Sequence, residues 1–188
     1  MISKKKSTAN HTAPLRDAEG FQALYQRTHL IVYRYIFGLY TGPAQDVEDL
    51  TAETFIRAWR ARRRFRGDSD AALGWLLRIA RNLVIDSFRR HQRRGEPLDL
   101  AEHIVLSPLA SPEERALQQE RTNTLWGALG KLSARQREII VLRYFLGWQV
   151  KAIAVYLKMK ENTVSVNIRR TLEHLRQEWK DIHEELDT

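Results

Sequence analysis

Apolar residues recur at helical spacing from about Ala18 to Tyr40, through Phe21, Leu24, Tyr25, Ile31, Val32, Tyr35 and Ile36, and predict one helix. Thr41-Gly42-Pro43 stops it. A second helix begins near Gln45, with Asp46, Glu48 and Asp49 at its positive end and arginines gathered toward its negative end, the arrangement the helix dipole favours. The loop Arg66-Gly67-Asp68-Ser69 leads into a third helix, on which Leu73, Leu76, Leu77, Ala80, Leu83, Val84 and Phe88 form a continuous apolar stripe. Three such faces can share one core.

From Arg94 to Pro112 the period fails and Gly95, Pro97, Pro108 and Pro112 accumulate, which marks a linker. Beyond it, Ser111-Pro112-Glu113-Glu114 combines an N-cap serine, a proline at the first helical position and a carboxylate three residues on, and so starts a fourth helix that runs to about Leu132. Ser133-Ala134-Arg135-Gln136 repeats the capping-box logic and opens a fifth, which carries Ile139, Ile140, Leu142 and Tyr144 before Gly147 ends it. Two more follow, roughly Val150 to Leu157 and Glu161 to Ile182, the latter turning Val164, Ile168, Leu172 and Leu175 inward. No strand signal and no internal repeat is present. The expected architecture is all-α: a disordered tail over 1–17, a helical domain over 18–94, a flexible linker over 95–111 and a second helical domain over 112–182.

The segment Val150 to Leu172 has the organisation of a helix-turn-helix. A short helix carries Ala152-Ile153-Ala154, a turn lies at Lys158-Met159-Lys160, and a second helix opens on Asn162-Thr163-Val164. Ala154 is small enough for the helices to approach, and Ile153, Leu157, Val164 and Ile168 fill the angle between them. The opposite face presents Ser165, Val166, Asn167, Arg169 and Arg170 to a major groove. An ordinary helical hairpin has the same apolar spacing, and the exposed Asn beside two arginines is what distinguishes the two.

Charge supports a polyanionic partner. The 188 residues carry a formal +8, and the cations are clustered at Arg57, Arg60, Arg62, Arg63, Arg64 and Arg66 and again at Arg89, Arg90, Arg93 and Arg94. There is no cysteine, which excludes disulfides and thiolate metal sites and is compatible with a reducing cytosol. The basic start Met1-Ile2-Ser3-Lys4-Lys5-Lys6 leads into polar residues, not an apolar signal, and Ile139-Ile140-Val141-Leu142 is broken by Arg143, far short of the ~20 residues that span a bilayer. His11, His29, His91, His103, His174 and His183 lack metal-ligand spacing, and no phosphate-cradling loop or nucleophile motif occurs. Catalysis, a metal and a cofactor are therefore not expected.

Three stretches carry a family resemblance from about Phe21 to Trp179. Asp46-Val47-Glu48-Asp49-Leu50-Thr51-Ala52-Glu53-Thr54-Phe55-Ile56-Arg57-Ala58-Trp59 resembles region 2.2 of extracytoplasmic-function sigma factors. Trp75-Leu76-Leu77-Arg78-Ile79-Ala80-Arg81-Asn82-Leu83-Val84-Ile85-Asp86 resembles regions 2.3 and 2.4, and Leu132-Ser133-Ala134-Arg135-Gln136-Arg137-Glu138 with the helix-turn-helix resembles region 4. The resemblance implies a cytoplasmic promoter-specificity subunit that binds core RNA polymerase, recognises −35 and −10 elements and assists melting, with an anti-sigma factor as a further partner and no insertion into a membrane. It implies that Asp46, Asp49 and Glu53 meet the clamp helices of the polymerase's largest subunit. Arg66, Asp68, Ser69, Arg78, Asn82 and Arg89 would engage the −10 element and the unpaired non-template strand, and Ser165, Val166, Arg169 and Arg170 the −35 element. Ala52 stands where the family usually has Gln, Ala152 where Glu is common, Ser165 where a basic residue is frequent and Val166 where a small polar one is usual. A regulator of the LuxR type would account for the second domain but not for the first, and an enzyme would account for neither.

Overall fold

The computed structural model describes residues 15, 17–40, 44–94 and 124–186, all helical apart from short connections. The tail over 1–14 and the linker over 95–111, together with the start of the fourth helix, lie outside the described residues. Helix α1 spans Ala18–Leu39, α2 Ala44–Ala61 and α3 Ser69–Arg94. The described part of α4 covers 124–131, and α5 (Ala134–Ile140), α6 (Val150–Leu157) and α7 (Glu161–Leu186) complete the chain.

Local chemistry places the helix ends. The Asp17 carboxylate accepts the Gly20 N–H at 2.8 Å and starts α1, and Asp68 accepts the Ala71 N–H at 2.8 Å and starts α3. Ser133 and Gln136 form the reciprocal capping box of α5. A 3₁₀ turn over Arg62–Arg64 finishes α2. The α6–α7 turn reverses at Lys158, in the left-handed region with φ 55°, and the Met159 N–H reaches back to the Ala154 carbonyl at 2.8 Å.

Helices α1, α2 and α3 bury one core from Leu24, Val32, Ile36, Val47, Leu50, Phe55, Leu76, Leu77, Leu83 and Val84. Thr28 and Thr54 are buried as well, each turning its hydroxyl back onto the carbonyl four residues earlier, so neither hydroxyl is stranded. Helix α5 does not run regularly to Gly147. It widens over Val141–Phe145 into a π-helical turn, closed by the Leu146 N–H to the Val141 carbonyl at 3.1 Å. The extra residue rotates the phase, so Val141 is buried and Tyr144 is 54 % exposed.

The two helical units do not stand apart. Val141, Leu142, Ile153 and Val164 join the same buried cluster as Tyr35, Ile36 and Leu76. Helix α1 meets the π-turn where Gly38 faces Val141, and a Cβ at Gly38 would lie 2.7 Å from a Val141 methyl, so the helices close to this distance because residue 38 has no side chain. A second cluster of Trp126, Leu129, Leu132 and Ile140 packs on Phe37 of α1, whose ring meets Trp126 edge to face at 4.9 Å.

Candidate nucleic-acid interface

Helix α2 sets Asp46, Asp49 and Glu53 three and four residues apart, on one face. Asp49 is exposed, while Glu53 accepts the Arg57 Nε at 2.7 Å. Asp46 is half-buried and accepts the Tyr40 hydroxyl. Burial, and then that hydrogen bond, pushes the Tyr40 phenol up to about 12. Asp46 and Asp49 also line a polar cleft of about 300 Å³ with Ser87, Arg90 and His91 of α3, and the His91 ring lies 4.0 Å from Asp46. The acidic face is thus continuous with a mixed-charge groove between two rigid helices.

The arginine cluster at the end of α2 is largely exposed at Arg57, Arg60, Arg63, Arg64 and Arg66. Arg62 differs, because its guanidinium lies 3.3 Å from the centre of the Trp59 ring and donates to the Trp59 carbonyl. In the following loop Phe65 stacks on Trp75 at 4.8 Å, and both rings are half-buried. Trp75 is therefore chiefly a packing residue. Arg66 donates to the Arg63 and Phe65 carbonyls, and Asp68, exposed, has one carboxylate oxygen committed to the α3 cap. The side chain of Ser69 lies outside the described residues. On α3, Arg78, Asn82, Asp86 and Arg89 form an exposed row opposite the buried leucines, with Arg89 3.8 Å from Asp86.

On α7, Ser165, Val166, Arg169 and Arg170 fall at i, i+1, i+4 and i+5 and so share one side. Ser165, Arg169 and Arg170 are exposed and Val166 half-buried. Arg169 lies 3.9 Å from Glu173. Asn167 is less available than its position suggests, because its amide donates to the Thr163 carbonyl at 2.7 Å. Ala154 is buried against α7, the close approach its size permits, and Ala152 is exposed. The α7 face and the α3 row are thus on different units of one chain.

A polar constellation between the units was not anticipated. The Glu138 carboxylate of α5 is 1 % exposed, yet it accepts the Tyr35 hydroxyl of α1 at 2.8 Å and Arg81 Nε of α3 at 3.0 Å. Arg135 approaches it to 3.6 Å, and the Tyr156 hydroxyl of α6 sits 3.5 Å from that of Tyr35. Burial, with the Glu138 charge adding to it, raises the Tyr35 pKa well above that of a free phenol. Its neighbour Arg137 is buried too and donates to three carbonyls: Leu129 at 2.9 Å, Gly130 at 2.8 Å and, across the contact, Leu39 at 3.1 Å. Those carbonyls belong to the last turns of α4 and α1, so one guanidinium satisfies the negative ends of two helices. Burial pulls its pKa below the usual arginine value. The signal in the sequence was the charged pair Arg137-Glu138 set directly against the apolar run Ile139–Leu142. Among the described residues no cluster could hold a metal ion, and no helix is long and apolar enough to cross a membrane.

Comparison with known proteins adds the context for these faces. Residues 24–94 match the family model for Sigma-70 region 2, and residues 122–175 the model for Sigma-70, region 4. Over 172 residues the chain is 32 % identical to the ECF RNA polymerase sigma factor SigX of Bacillus subtilis, covering 89 % of this chain and 88 % of the relative. Among solved structures it resembles CnrH in complex with the cytosolic domain of CnrY, at a TM-score of 0.61 and 26 % identity over 88 % of this chain and 90 % of that one. The fold is also that of the sigma factor RpoE from Bartonella quintana, crystallised with the anti-sigma factor NepR, with a TM-score of 0.66 and 21 % identity over 87 % and 98 % of the two chains.

Proposed function

The chain belongs to the ECF RNA polymerase sigma factors of the sigma-70 family, and from that premise we propose how its surfaces divide the work of a promoter-specificity subunit. Asp46, Asp49 and Glu53 on α2 dock on basic residues of the clamp helices of the polymerase's largest subunit. Arg66, Asp68 and Ser69 of the loop, with Arg78, Asn82 and Arg89 on α3, receive the −10 element and its unpaired non-template strand. Ser165, Val166, Arg169 and Arg170 on α7 enter the major groove of the −35 element. An arginine that makes two bonds to a guanine contributes about 1–3 kcal/mol of discrimination, and Val166 offers an apolar contact to a thymine methyl.

The observation that carries this reading is the presence, on one chain, of an acidic face on α2, exposed at Asp49, and two separate polar faces on α3 and α7. A regulator that binds only duplex DNA needs the last of these alone. The chain contributes binding energy and leaves catalysis to the polymerase, acts in the cytoplasm at the nucleoid, and is held in check by an anti-sigma factor, the type of partner crystallised with the Bartonella quintana protein.

Run-off transcription with core polymerase and a genomic promoter library tests this division. Glu53→Arg is expected to abolish co-elution with core polymerase and transcription from every promoter. Arg170→Ala is expected to lower initiation about 5- to 150-fold, the equivalent of ~1–3 kcal/mol, and only at promoters that depend on the −35 element. Equal losses for both variants on all promoters would contradict the division of labour.

A further inference from the structure

We propose that Tyr40 and His91 are positioning residues for polymerase docking: they hold the Asp46 carboxylate by one oxygen, so that the cleft between α2 and α3 is set to receive a cationic side chain of the polymerase, and the proton on His91 sets how tightly it does. The proposal rests on the docking role given to α2 above, because Asp46 and Asp49 belong both to that acidic face and to the cleft.

Three helices contribute to the geometry. From the residue that ends α1, the Tyr40 hydroxyl donates to Asp46 Oδ2 on α2. Tyr40 is itself fixed, since it is buried, its ring lies 5.5 Å from that of Phe88 on α3, and the buried Ser87 adjoins its phenol. From α3, His91 Nε2 lies 4.0 Å from the same carboxylate oxygen, Oδ2. Among the described residues Asp46 Oδ1 has no partner, so one oxygen is held and the other is left for a ligand. A carboxylate held in this way gives up less side-chain freedom on docking than a freely rotating one.

The hydrogen on His91 follows from its other contact. Nδ1 lies 3.0 Å from the Ser87 carbonyl, which can only accept, so Nδ1 carries the hydrogen. In the neutral ring Nε2 therefore turns a bare lone pair toward Asp46, and on protonation it turns an N–H and a positive charge. The charged groups around the ring are Asp46 and Asp49 of α2 and Arg90 of α3, and the remaining titratable group that faces it is Tyr40. Two carboxylates and one guanidinium leave the cleft one charge negative while His91 is neutral, and a protonated His91 cancels that charge. A cation from the polymerase is attracted in the first state and meets a competitor for Asp46 in the second.

Binding of the full chain to core polymerase, followed by fluorescence anisotropy at pH 8, tests the positioning. Asp46→Ala is expected to raise Kd at least about tenfold, and Tyr40→Phe about 3- to 10-fold. Adding Tyr40→Phe to Asp46→Ala should change Kd by less than about twofold, because the phenol then has no carboxylate to hold. Circular dichroism of each variant at the assay temperature checks that it is folded. A second arm leaves Tyr40 and Asp46 intact: between pH 8 and about pH 6, the range in which an imidazole gains its proton, the wild-type Kd should rise at least about threefold more than that of His91→Gln. The full loss from Tyr40→Phe in the Asp46→Ala background, unchanged binding by Asp46→Ala, or identical pH profiles for wild type and His91→Gln would each overturn the proposal. A wild-type chain that does not bind core polymerase at either pH refutes the docking role of α2, and the proposal with it, whereas binding with additive losses refutes the positioning alone.

Discussion

Replacing Arg137 with Met keeps the length of the side chain and removes its charge and all three hydrogen bonds. Bonds from a charged donor to a carbonyl are worth about 1.5–3 kcal/mol each, so the three at 2.9, 3.1 and 2.8 Å represent roughly 5–9 kcal/mol gross. Against this stands the desolvation of a buried guanidinium, several kcal/mol, which the variant no longer bears. The lost bonds leave the Leu39, Leu129 and Gly130 carbonyls without their donor at two helix ends, and water reaches them only partly. We therefore expect a net loss of about 3 kcal/mol, a large share of the ~5–15 kcal/mol that holds a typical domain. Urea unfolding followed by tryptophan fluorescence, which reads Trp126 beside Phe37, and by circular dichroism should show a lower midpoint at unchanged slope. Arg137→Lys should fall between the two, because a single ammonium cannot match a planar fork of donors. A loss under about 1 kcal/mol in the Met variant would refute the idea that one cation holds both helix ends.

Other outcomes follow from single contacts. Asp68→Ala should cost about 1 kcal/mol through the α3 cap, whereas Asp68→Asn should keep the stability, so a fall in transcription for Asn alone would separate promoter contact from capping. Lys158→Gly relieves a left-handed residue and should raise the melting temperature by about 2–4 °C, and a decrease would mean that the lysine side chain holds the turn. The Tyr40 phenol, raised to about 12, stays neutral when folded after it would ionise unfolded, so its contribution is complete below pH 10 and is lost as pH rises from 10 through 12. The late phenolate absorbance near pH 12 should lose one tyrosine's amplitude in Tyr40→Phe, the remainder coming from the other raised phenols such as Tyr35, and an undiminished amplitude would place the Asp46 contact elsewhere.

Much of the site was legible because it depends on neighbours along one helix. The i, i+3, i+4 pattern located Asp46, Asp49 and Glu53 on one face, and the α3 row and the α7 stripe on others, and the structure has those faces where the spacing implies. Capping at Ser133 and the reversal at Lys158 were equally local. What was misjudged shows where periodicity stops working. A fifth helix read as running to Gly147 widens instead over Val141–Phe145, and with that extra residue Tyr144 lies exposed.

The sequence by itself determined the described helices, most of their apolar faces and the two sets of charged rows, since each follows from contacts within about four residues. Only the tertiary structure decided that the two units close on each other. Tyr35 and Glu138 are 103 residues apart, and nothing in a local pattern says which buried acid meets which hydroxyl. That choice came from the absence of a side chain at Gly38, the widened turn at Val141, and the need of Arg137 and Glu138 for partners once the apolar surface around them had been removed from water.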